Sequence, residues 1–156
     1  MTLNRRKARE TAMMALYAAE LSNDSLEHIL ETVIHPKMKA DEELNEFSTA
    51  LFLKTIRDRE ELDAIVGEFV TNWDIKRIAT IDRCVLRLAI TEMMAFEEIP
   101  TKVTINEAIE IVKKYSTAKS GKFINGILDA ASKKLGEQGK IVKTGSGLIT
   151  KTLPRG

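Results

Sequence analysis

One cysteine in 156 residues leaves no partner for an internal disulfide, and a lone Cys84 fits a reducing compartment. In its own segment Cys84 reads as a small residue in a helix seam. Long apolar runs are missing too. No stretch approaches the roughly 20 residues of a membrane span, and the polar, arginine-rich start lacks the apolar core of a secretory signal. These absences predict a soluble, cytoplasmic protein. There is no excess of one charge: 24 Lys and Arg face 23 Asp and Glu, for a net charge of +1. A polyanionic partner must therefore be argued from where the cations sit. No segment alternates apolar and polar residues between turn signals, which argues against a sheet, and no repeat of fixed period is found. The length suits one domain with a sizeable core.

What is present is helical periodicity. Asn4 caps a first helix to about Leu21, rich in Ala8, Ala12, Ala15, Ala18 and Ala19. Asp24-x-x-Glu27 has the form of a capping box and leads into Leu26, Ile29, Leu30, Val33 and Ile34, a helix that His35-Pro36 should end. Asp41 starts a third helix, and the charged cluster 57–61 breaks it from a fourth carrying Leu62, Ile65, Val66, Phe69, Val70 and Trp73. The stretch Trp73–Met94 has no Gly or Pro, is capped by Asp74, and reads as about six helical turns. Its apolar residues cover more than half the circumference, wider than a surface helix needs. It is therefore predicted to be the central helix, with Lys76, Arg77, Arg83 and Arg87 on a solvated face. Asp82 breaks the pattern among Ile78, Val85, Ala89 and Met93. Left unpaired there, a carboxylate is costly, so either an arginine meets it or that face belongs to a partner. After the Ile99-Pro100 turn, Thr104-x-x-Glu107 is a second capping box. The last helix runs from about Ser120 to Leu135 and stops at Gly136. The predicted fold class is all-α: about seven helices, two three-helix layers packed around a buried central helix. Residues 1–138 form one domain, and 139–156 a flexible basic tail.

Enzyme signatures fail one by one. Ser120-Gly121-Lys122 resembles the end of a P-loop, but Ser116 and Phe123 stand where Gly and a hydroxyl are needed, and no strand precedes them. His28 and His35 have no ligand set around them. Cys84 has no histidine near it in sequence, and there is no G-x-S-x-G. No catalytic residue, metal or cofactor is expected.

The cations are oddly placed. Arg5, Arg6, Lys7 and Arg9 crowd the start of the first helix, and Lys119 and Lys122 the start of the last. A helix N-terminus is already positive, so each cation there is mildly unfavourable. A bound phosphate reverses that sign, because the free backbone N–H groups already form an anion site. Phe123 falls about 100° from the inward direction of the last helix, on the flank of Lys119, Gly126 and Lys134. A ring beside lysines and a glycine suits a stacked base with its phosphates held, and points to single-stranded RNA. If the cations are merely solvated, the alternative is a helical protein-interaction adaptor without direct RNA binding.

Several blocks taken together resemble the bacterial NusB family of transcription antitermination factors. They are 5–10 (RRKARE) with Ala15-Leu16-Tyr17, Asn72-Trp73 with Arg77-Ile78, the 82–87 block, Val103–Ala108 and Lys122–Leu128. The resemblance covers about residues 5 to 130 and leaves out the glutamate-rich middle and the tail. It implies an all-helical, non-enzymatic protein. Such a protein pairs with NusE, a small-subunit ribosomal protein, binds boxA-type RNA, and helps RNA polymerase read through terminators in ribosomal RNA operons. It also implies RNA contacts at Arg5, Arg6, Lys7, Arg9, Tyr17, Lys119, Lys122 and Phe123, and NusE binding at Asp82. Some relatives carry an acid where Lys119 stands, so a lysine there should tighten RNA binding. At this length no fused RNA methyltransferase domain, as some relatives carry, is expected.

Overall fold

The computed structural model describes residues 3–70 and 75–148, without the side chain of Lys76. The α-helices are α1 (Arg5–Leu21), α2 (Leu26–Ile29), α3 (His35–Met38), α4 (Glu42–Arg57), α5 (Arg59–Gly67), α6 (Thr80–Ala95), α7 (Thr101–Tyr115) and α8 (Ala118–Glu137). A π-helical stretch, Leu30–Ile34, joins α2 to α3 without a break. Counting those three pieces as one, the described residues form seven helices and no strand, the all-α class predicted. The chain divides into two compact units, Met1–Arg59 and Glu60–Gly156.

In the first unit Asn4 caps α1 as predicted, its Oδ1 accepting from the Lys7 N–H at 2.8 Å. The alanines let α4 approach closely: Ser48 Oγ donates to the Ala8 carbonyl at 2.8 Å, and Ala8, Ala12 and Ala15 are fully buried. Two expectations need correcting. The cap of α2 is Ser25, not Asp24; its Oγ accepts from the His28 N–H at 3.1 Å. Nor does Pro36 end the helix. Proline has no N–H and crowds the carbonyl four residues back, and the wider π turn relieves this, with the His35 N–H reaching the Leu30 carbonyl. Asp41 caps α4, accepting from the Leu44 N–H at 3.1 Å.

In the second unit α6 is the buried helix. Every residue from Cys84 to Met93 is buried, and α7 and α8 pack against it and each other. It is shorter than predicted. The helix begins at Thr80, after a 3-10 turn at Ile75–Arg77 and an extended Ala79, while the expected cap Asp74 and the neighbouring Trp73 lie outside the described residues. Competition for a carbonyl contributes: Arg83 Nη1 donates to the Ile78 carbonyl at 2.9 Å, a group a longer helix would use itself. The solvated basic face is also corrected. Arg87 is only 5% exposed and forms a forked pair with Asp63 of α5, at 2.6 and 3.0 Å. Thr104 does not cap α7, which starts from Pro100, and its Oγ1 is buried without a partner. Helix α8 runs past Gly136; Gly139, at φ +71°, closes it, with the Lys140 N–H on the Leu135 carbonyl at 2.9 Å.

Of the tail expected from Gly139 onward, residues 139–148 are described. They lie along the turn between α6 and α7. Lys143 Nζ donates to the Phe96 carbonyl, the Thr144 N–H to that of Glu97, and Ser146 Oγ to that of Glu98, at 2.9, 3.0 and 2.8 Å. A Cβ at Gly147 would collide with the Glu97 carbonyl, so only glycine fits there.

Candidate nucleic-acid interface

The start of α1 carries no acid in its first turn. Arg5 and Arg6 are exposed and Lys7 half-buried, its Nζ 3.8 Å from Glu10. Arg9 is different: it is 3% exposed. Its guanidinium lies 5.5 Å from the centre of the Phe47 ring, and that of Arg5 lies 4.9 Å from the same ring. Both distances suit cation–π attraction. Phe47 thus anchors the cationic turn from beneath, a role its place among the core residues of α4 gave no hint of. Tyr17, 38% exposed, falls near the azimuth of Arg6, about 16 Å further along the axis. Glu10 and Met13 between them on that stripe are buried, so no continuous open stripe joins the two.

Helix α8 is capped by Thr117, whose Oγ1 accepts from the Ser120 N–H at 3.0 Å. Its first turn also has no acid. Lys119 and Lys122 are exposed and pair with no carboxylate among the described residues. Phe123 is half-buried, as a flank position requires. Lys134, placed with it by periodicity, is committed elsewhere, its Nζ 2.7 Å from Glu68. Gly126 stands exposed in the helix interior, and a Cβ there would meet nothing within 4 Å. The fold itself gives no reason for glycine, which costs α8 up to about 1 kcal/mol relative to alanine. A closely approaching ligand does give one.

Asp82, in the first turn of α6, is 4% exposed. Among the described residues no arginine pairs with it. Its Oδ2 accepts from Ser120 Oγ at 2.7 Å, and its Oδ1 is buried with no hydrogen-bond partner. Sequence offered no signal for this contact between residues 38 apart. No group of three or more His, Cys, Asp and Glu among the described residues could hold a metal ion, and no described helix is long and apolar enough to cross a membrane.

A NusB family profile matches residues 6–133. The chain belongs to the NusB family. A transcription antitermination protein NusB of Salinibacter ruber is 45% identical over 146 residues, 94% of this chain and 91% of that protein. Its counterpart in Chloroherpeton thalassium is 38% identical over 149 residues, covering 96% and 71%. Among solved structures, NusB of T. maritima superimposes with a TM-score of 0.78 at 35% identity, over 86% of this chain and 94% of that one. A NusB chain described in a complex of antitermination factors NusB and NusE with double-stranded RNA gives 0.76 at 28% identity, over 83% and 96%. Both candidate clusters fall within the segment matched by the NusB profile, except Arg5, which lies one residue outside it.

Proposed function

We propose that this NusB-family chain is a transcription antitermination factor that binds boxA-type single-stranded RNA together with NusE and supports read-through of ribosomal RNA operons by RNA polymerase. It works in the cytoplasm, by binding and not by catalysis. The observation that carries this reading is that two helices, α1 and α8, each begin with no acid in the first turn and with exposed cations there. Arg5, Arg6 and Lys7 take phosphates at one, and Lys119 and Lys122 at the other. Phe123 offers a stacking face beside the open backbone of Gly126, and Tyr17 a second ring. Arg9 acts from below, through Phe47. Asp82 marks the NusE side of α6. NusE and RNA are the partners found with the related NusB in its complex, which supports their assignment here.

The test is reversal of the two exposed arginines, Arg5→Glu with Arg6→Glu, and not of the buried Arg9, whose reversal would damage the fold. Binding to single-stranded boxA-type RNA and to a duplex of the same sequence is measured with and without NusE. Loss of single-strand binding with unchanged helicity is expected. Unchanged binding would favour the adaptor reading, and preference for the duplex would correct the kind of RNA.

A further inference from the structure

The contact between Asp82 and Ser120 has a definite direction. A serine hydroxyl has one proton to donate and two lone pairs to accept with. At 2.7 Å from a carboxylate oxygen, Ser120 Oγ spends its proton on Asp82. Thr117 Oγ1 lies 3.1 Å from Ser120 Oγ and donates to it, and Ser116 Oγ, at 3.1 Å as well, must then be a donor too. Every hydrogen-bonding capacity of Ser120 is used. Its backbone N–H meanwhile closes the cap on Thr117. The buried carboxylate on α6 therefore orders three hydroxyls that define how α8 begins, with Lys119 and Lys122 both in its opening turns.

We infer that Asp82 and Ser120 are positioning residues for RNA binding: their hydrogen bond fixes the first turn of α8 so that Lys119, Lys122 and Phe123 face the strand together. Neither side chain touches RNA. The inference rests on the reading of α8 as an RNA site. It also gives the acid on α6 a reason to be buried with only one oxygen satisfied: the apolar alternative would pack as well but would leave the α8 cap without its anchor.

The experiment measures affinity for a single-stranded boxA-type RNA oligonucleotide, with thermal unfolding alongside. Ser120→Ala should weaken binding about tenfold, the equivalent of one charge-assisted hydrogen bond. Ser120→Thr, which keeps the hydroxyl, should restore affinity. Ser120→Ala alone strands a buried carboxylate, so the double variant Asp82→Leu with Ser120→Ala, which removes both partners, is measured as well. It should fold with near-normal stability and show the same loss in affinity. An unchanged affinity in the double variant, while Lys122→Ala still weakens binding, overturns the inference and leaves the RNA site standing. Failure of Ser120→Thr to restore binding overturns it also. If Lys122→Ala has no effect either, the RNA reading itself falls, and this inference with it.

Discussion

Replacing Gly126 by alanine should move stability and RNA binding in opposite directions. The position lies in the interior of α8, eight residues after its first, and the added methyl meets no atom within 4 Å. No packing is lost and no clash created, so only backbone entropy changes. Alanine is favoured over glycine in a helix by about 0.5–1 kcal/mol. For a chain of this size that corresponds to a rise in melting temperature of roughly 1–4 °C. Thermal unfolding followed by circular dichroism measures it. In an RNA titration the same variant should bind more weakly, because the methyl occupies space beside Phe123 that the strand needs. A melting temperature unchanged or lowered would refute the helix argument. A raised melting temperature with unaltered RNA affinity would refute the claim that a ligand approaches this backbone.

The Asp63–Arg87 pair should be far more costly to break than the exposed pair Arg57–Asp58. The Arg87 side chain is 6% exposed, that of Arg57 64%, so Asp63→Ala should cost about 3 kcal/mol in denaturant unfolding, and Asp58→Ala below about 1 kcal/mol. Burial pushes the Lys143 ammonium below its usual value of 10.5, against the nearby charges of Glu92, Glu98 and Glu97, which raise it. Between the folded value and 10.5 the unfolded chain binds more protons, so this group makes stability rise with pH in that alkaline window. Lys143→Met should remove that part of the rise, seen as a flatter stability profile than the parent's. Lys119→Asp should weaken RNA binding, by direct titration, more than Lys113→Asp at the other end of the α7–α8 turn; equal effects would deny Lys119 a specific role.

Features set within three or four residues were largely legible in the sequence. Asn4 and Asp41 cap their helices because the acceptor and the amide it serves are three residues apart. Where several candidates stood together, local reading could not choose. Asp24 and Ser25 both suit a cap, and Ser25 holds it. Pro36 stops a regular α-helix but not one that widens into a π turn. Contacts across the chain were out of reach, since periodicity says which face of a helix is apolar and not what meets it. Arg87 finds Asp63 at a separation of 24 residues, and Asp82 finds Ser120 at 38. The two arginines over Phe47 belong to the same class. The family blocks were legible because they are runs of local sequence, and the candidate RNA residues came with them. That Arg9 lies inside, and that a serine anchors α8, only the three-dimensional arrangement reveals.

The most direct test is the salt dependence of RNA affinity. If Arg5, Arg6, Lys7, Lys119 and Lys122 each neutralise one phosphate, log K should fall with log salt at a slope of about −3.5 for a single strand, or roughly a hundredfold between 50 and 200 mM. Removing Arg5 and Arg6 together should bring the slope to about −2. Binding that is indifferent to ionic strength, or a slope that these substitutions leave unchanged, would contradict the claim that the two basic helix starts hold the strand.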